Sequence, residues 1–219
     1  MTRSYTRSLA AALVAAAVAA FGAAPAAAQA GGHTHSHAPA NLPPSAQGYA
    51  WTPADAHFMT AMIGHHAQAI TMSRLAPTHG ASPQVRTLAE RIINAQQDEI
   101  ATMQRWLRER GQPVPEPGAP MAAMPGMQHD AHMPGMLTAE QMAQLEAARD
   151  TEFDRLFLTY MIQHHSGAMS MVQQLFGSWG AGQDEAVFKF ASDVNVDQAT
   201  EIARMQRMLA GVIFGPVSP

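Results

Sequence analysis

The feature that most restricts the fold is an internal repeat. Met62-Ile63-Gly64-His65-His66-Ala67-Gln68-Ala69-Ile70-Thr71-Met72 returns as Met161-Ile162-Gln163-His164-His165-Ser166-Gly167-Ala168-Met169-Ser170-Met171, with both His-His pairs and both flanking methionines in register. Upstream, Asp55 matches Asp154; downstream, Gln96, Glu99, Ile100 and Met103 match Gln198, Glu201, Ile202 and Met205. Self-similarity on this scale repeats a supersecondary unit, and the simplest unit here is a helical hairpin with an equivalent site in each half.

Start and stop signals place the helices. Thr52-Pro53 supplies an N-cap and a first-turn proline, with Asp55 completing a capping box, so a first helix is expected over about 53–75. Ser82-Pro83 repeats the signal for a second helix ending near Arg110, where Gly111 and Pro113 stop it. Residues 111–137, rich in Met, His, Pro and Gly, cannot continue a helix and read as a crossover loop. Thr138 with Gln141 opens a short helix to about Ala148, followed by a third long helix over about 151–176. Gly177, Gly180 and Gly182 make a turn, and a last helix runs over about 184–209. No strand-like alternation appears, so residues 51–213 are expected to form an all-α domain, a four-helix bundle of two duplicated up-down hairpins joined by one long crossover.

The segment before this domain has a different character. Residues 1–30 carry Arg3 and Arg7, an apolar run from Leu9 to Ala20, and small residues ending in Ala26-Ala27-Ala28 or Ala28-Gln29-Ala30, the pattern of a secretory signal peptide. The run is too short to span a bilayer, so a periplasmic or secreted protein without membrane insertion is expected. The chain has no cysteine, which suits an oxidising compartment and excludes thiolate metal sites. Its 17 Asp and Glu outnumber 13 Lys and Arg, opposite to a nucleic-acid-binding surface. Residues 31–50, with His33, His35, His37, Pro43 and Pro44, have no apolar period to bury and are expected to be disordered.

On a helical wheel of about 100° per residue, Asp55, Phe58, Met59, Met62, His65, His66, Ala69 and Met72 share one face, and Asp154, Phe157, Leu158, Met161, His164, His165, Ala168 and Met171 repeat it. His57 falls on the other side. Adjacent histidines point about 100° apart, so one of each pair faces the bundle axis while the other flanks it. The second and fourth helices each carry a Gln and a Glu within an apolar stripe, Gln96 with Glu99 and Gln198 with Glu201. A carboxylate among core positions needs a partner, and His66 and His165 are the candidates. Imidazole combined with thioether suits copper, methionine favouring Cu(I) over Cu(II), whereas zinc ordinarily recruits cysteine or further histidines. A methionine stripe is also ordinary core packing, and a buried His bonded to Glu can be purely structural.

The duplication favours ligands, as do two further clusters. Met121, Met124, Met127, His129, His132, Met133 and Met136 crowd the crossover loop in two Met-Pro-Gly-Met units, and having no core to pack into they read as soft-metal ligands. His33, His35 and His37 alternate in a segment that can wrap a divalent ion.

At these residues the chain resembles the domain-of-unknown-function 305 family, marked by a repeated Met-Ile-x-His-His-x-x-Ala-x-x-Met and a downstream Gln-x-x-Glu-Ile-x-x-Met helix. The resemblance covers about 50–210. It implies a ferritin-like four-helix bundle, and members include CopM-type periplasmic copper-binding proteins tied to copper tolerance. By resemblance the ligands are Met62, His65, His66, Met72, Met161, His164, His165 and Met171. Two departures mark the halves as non-identical: Met208 stands where Trp106 predicts a tryptophan, and Gly64 is matched by Gln163.

The expected function is that of a binding protein without catalysis: an exported chain that captures copper on its flexible His and Met segments, holds it in the bundle, and sequesters it or passes it to a copper efflux or cuproenzyme partner. One alternative is a ferritin-like metal-dependent oxidase using Glu99, Glu201 and the histidines, although the Glu-x-x-His spacing of di-iron bundles is missing. The other is a metal-free structural or interaction bundle.

Overall fold

The computed structural model describes residues 50–118 and 133–215, which contain helices and no strand. Four long helices, α1 (Pro53–Ser73), α2 (Pro83–Glu109), α4 (Asp150–Gly177) and α5 (Glu185–Phe214), are joined by a 3-10 turn (Ala76–Thr78) after α1 and a short α3 (Ala139–Ala147) before α4. The expected all-α bundle of two hairpins, α1–α2 and α4–α5, is what forms, with α1 packed on α4 between them. Residues 1–30, read above as a leader, and His33, His35, His37, Met121, Met124, Met127, His129 and His132 lie outside the described residues.

The predicted caps are in place. Thr52 and Asp55 close a reciprocal box at α1, Thr138 and Gln141 do the same at α3, and Ser82 Oγ accepts from the Val85 N–H at the start of α2. The last helix runs five residues beyond the expected Leu209, to Phe214. Gly211 within it is tolerated, and the stop comes only at Gly215, which takes φ 77°.

Two core clusters occupy the two ends of the bundle. One gathers Phe58, Met62, Met103, Trp106, Met171, Leu175, Phe190 and Val194. The other gathers the repeat mates Phe157, Met161, Met205, Met72, Ala76, Leu88 and Ile92. The antiparallel helices thus relate the ends by a pseudo-twofold, with the histidine pairs midway. Cross-ties follow the same symmetry. Buried Asp55 accepts from the Gly182 N–H at 2.7 Å in the turn of the second hairpin, and Asp154 accepts from the Ser82 N–H at 3.1 Å in the turn of the first. Each duplicated Asp therefore caps or braces a turn as well as sitting on the helix face that carries the histidines, which explains its place in the repeat.

The end of the crossover loop departs from expectation. Met133 and Leu137 are core residues, each 6% exposed, and Met136 packs against the core. The reason is local. Gly135 (φ 77°) and Gly167 let backbone meet backbone, since a Cβ at Gly167 would lie 2.0 Å from the Pro134 carbonyl oxygen. Gln68 clamps Leu137 at both its N–H (2.8 Å) and its carbonyl (3.1 Å), while the Gln163 amide donates to the Gly135 carbonyl at 3.3 Å. This short segment lies across the α1/α4 seam.

Candidate metal centre

Because consecutive helical side chains diverge by about 100°, each His-His pair splits its duties. His65 and His164 face each other across the α1/α4 seam with ring centroids 3.8 Å apart and planes tilted by 37°. His66 and His165 turn to their own hairpins, where their Nε2 atoms lie 2.6 Å from Glu99 Oε2 and 2.7 Å from Glu201 Oε2. The expected His–Glu partnerships form in both halves. All four imidazoles are at most 1% exposed, so the flanking pair is as buried as the inward one.

The glutamates differ from expectation. Their side chains keep 20% and 25% exposure, while Gln96 and Gln198, the other polar residues of the two stripes, are buried. A carboxylate at the stripe's edge retains water and still receives an imidazole N–H, which avoids the cost of burying the charge. Burial pushes the Asp197 carboxyl up, helped by Glu99, Asp193 and Glu201, so the glutamates of both hairpins share an acidic neighbourhood on α5.

Burial also sets the protonation of the seam. Removal from water, the neighbouring His66 and the nearby His165 lower His65 to about 3 against a smaller opposing effect of the Pro134 carbonyl. His164 is held well below the ordinary histidine value by burial first and then by the other three imidazoles. Both rings are therefore neutral near pH 7.

The partners then fix the tautomers. A carbonyl or carboxylate oxygen can only accept, so His65 donates its Nε2–H to Pro134 O at 3.0 Å, and His66 and His165 donate Nε2–H to their glutamates. In the neutral His65 ring that leaves Nδ1 as the lone-pair nitrogen. Nδ1 of His65, His66 and His165 and both ring nitrogens of His164 are buried without a protein partner. A carboxylate or carbonyl orienting an imidazole whose other nitrogen is bare is the supporting arrangement commonly found behind metal-bound histidine.

Met62, Met72 and Met161 are fully buried and Met171 is 6% exposed; Met62 and Met171 lie in one end cluster, Met72 and Met161 in the other. The four helical histidines and their methionines are thus brought to one layer and its two flanks. Among the described residues, no three or more His, Asp or Glu side chains form a metal-holding group. A cation bound here would need thioether as well as imidazole. Sequence reasoning missed Gln68, Gly167, Gln163 and the Pro134 carbonyl. The signal was present as a reciprocal swap in the repeat, Gly64 and Gln68 in one half against Gln163 and Gly167 in the other.

A duplicated helical-hairpin bundle with a buried imidazole layer is the class of protein these features define. The sequence profile of the family described as a domain of unknown function, DUF305, matches residues 55–209, and the chain belongs to that family. The fold is similar to a DUF305 fragment from Deinococcus radiodurans (29% identity, TM-score 0.61, covering 73% of this chain and 97% of that one). It is similar to a DUF305 protein from Streptomyces coelicolor (28%, TM-score 0.61, 73% and 93%). It is also similar to CopM in its Cu(I)-bound form (27%, TM-score 0.54, 73% and 96%), a protein solved with Cu(II) and silver as well. A 56-residue stretch is 41% identical to the uncharacterized protein L153 of Acanthamoeba polyphaga mimivirus, matching 26% of this chain and 37% of that relative's length.

Proposed function

We propose that this protein is an exported copper-binding protein that sequesters or carries the metal through its Met and His side chains. The observation that carries the reading is the layer of four buried imidazoles, each with an unpartnered Nδ1, three of them oriented by an oxygen acceptor on Nε2. Buried polar atoms are normally satisfied, and bare imidazole nitrogens on helices that also bury thioethers supply the donor types copper takes, Cu(I) above Cu(II). The copper-bound structures of the similar CopM support the choice of metal. Export rests on the leader-like residues 1–30, and among the described residues no helix is long and apolar enough to cross a membrane. On this reading the metal is cargo, buffered outside the cytoplasm for an efflux or cuproenzyme partner, and no reaction is catalysed.

Competition against a chromophoric Cu(I) chelator tests this. Wild type should withdraw copper from the chelator. The His65→Gln/His164→Gln variant should lose more affinity than the roughly 10- to 100-fold that loss of a merely supporting residue costs. A wild-type protein that withdraws no copper would end the copper reading.

A further inference from the structure

At the end of the bundle holding the Phe58 cluster, a crevice of about 350 Å3 opens between α1, α4 and the Met133-Pro134 segment. Its walls include Met133 from the crossover loop, Met171 from the second repeat, and exposed His57 from the first turns of α1. Nothing in the sequence pairs these residues, and the helical wheel assigns His57 to the outer side. The fold brings them to one solvent-reaching space.

Core packing accounts for Met72, the repeat mate of Met171, because Met72 is fully buried in a cluster that includes Leu145 of α3. Met171 has no α3 above it and borders open volume instead. A thioether is a soft ligand, and two of them beside an imidazole suit a low-charge, polarisable ion over Zn2+ or Mg2+. We propose that Met133 and Met171 form an outer site for a soft monovalent cation, Cu(I) or Ag(I), with the His57 imidazole at its mouth. Pro134, adjacent to Met133 and also in the crevice wall, gives its carbonyl to His65, so one short segment borders both this site and the buried histidine layer. The inference rests on the soft-metal reading for the kind of ion, and on the crevice for the place.

The test follows the methionine methyl resonances of methyl-13C-Met-labelled protein while Ag(I), then Cu(I) held reduced, is added stepwise. Met133→Leu and Met171→Leu assign the signals, and Met72→Leu is the control. The Met133 and Met171 methyls should move together at the same added equivalent, and Met133→Leu should lower capacity by about one ion per chain, since a single thioether pair is lost. Met72→Leu should leave that step intact. Ion binding that leaves the Met133 and Met171 methyls unmoved would overturn the outer site while sparing the copper reading. Failure of the wild type to take up either ion overturns both. The wild-type shifts decide the matter even where a variant folds poorly.

Discussion

The two ends of the bundle are built from matching residues yet are closed differently. At one end, Met72, Phe157 and Tyr160 share a core with Leu145 and Ala148, and the Tyr160 hydroxyl donates to Gln144 of α3. At the other, their counterparts Met171, Phe58 and Ala61 border the crevice, roofed by Met133 and Pro134. Duplication supplied both ends with related side chains, with Tyr160 standing against Ala61, and α3 at one end and the Met133-Pro134 segment at the other cover them to different degrees. Equivalence in sequence is therefore not equivalence in access.

The largest effect expected from breaking this contrast comes from Leu145→Ala. Leu145 is fully buried, and truncating such a leucine costs about 2–5 kcal/mol, depending on how far the site collapses. Urea unfolding should show that loss, whereas Met133→Ala at the end that is already open should cost less. Equal costs would mean that α3 and the Met133 roof seal their ends equally well, and the contrast would fail. A second gain should accompany the loss in Leu145→Ala: with α3 loosened, the Met72 methyl should begin to respond to Ag(I).

The seam between the ends should respond to acid as one unit. His65 takes a proton near 6.5 when unfolded but only near 3 when folded, and His164 is lowered in the same direction. Between those values the unfolded chain binds more protons, so stability is flat above about pH 6.5 and falls as pH drops toward 3. One shift of that size is on the order of a few kcal/mol. Thermal melts of apo-protein from pH 7 to pH 4 should show the fall, and His65→Gln/His164→Gln should flatten it. A wild-type profile as flat as the variant's would show that the seam admits water and that the two ends are not joined by a dry layer.

Much of this was legible in advance, for reasons that differ by residue. The helices were readable because Thr52, Ser82 and Thr138 each announce a start and the apolar period does the rest. The His66–Glu99 and His165–Glu201 pairs were readable because a carboxylate in an apolar stripe demands a donor. The stacking of His65 on His164 was not, since it depends on the rotation of α1 against α4, a tertiary quantity that no single helix records. Met133 was misread as free because a Pro-Gly segment looks like solvent-facing loop until Gly167 gives it a groove to lie in. His57 was set aside because a wheel shows the face of one helix and not the crevice between two.

The smallest expected effect is the one that isolates the roof of the open end. Replacing Gly167 with Ala adds a Cβ 2.0 Å from the Pro134 oxygen and 2.6 Å from the Gly135 Cα, both backbone, so the segment itself must move. Overpacking of this kind costs about 1–3 kcal/mol, and the better helix propensity of Ala returns up to about 1 kcal/mol. The net loss should be about 0–3 kcal/mol, with its consequences confined to one end. The Pro134 carbonyl withdraws from His65, Met133 leaves the crevice, and the Leu137 amide held by Gln68 exchanges faster with solvent, while Leu145 and Tyr160 stay as they are. Gln68→Ala removes only the clamp on Leu137, at about 1 kcal/mol for each of its two hydrogen bonds, and leaves Pro134 in its groove. Hydrogen exchange at Leu137 should therefore rise in both variants, whereas the Ag(I) response of Met133 and Met171 should be lost only in Gly167→Ala. If Gly167→Ala keeps that response, the close backbone approach is not what holds the roof, and the open end owes its shape to the side chains of Met133 and Leu137 instead.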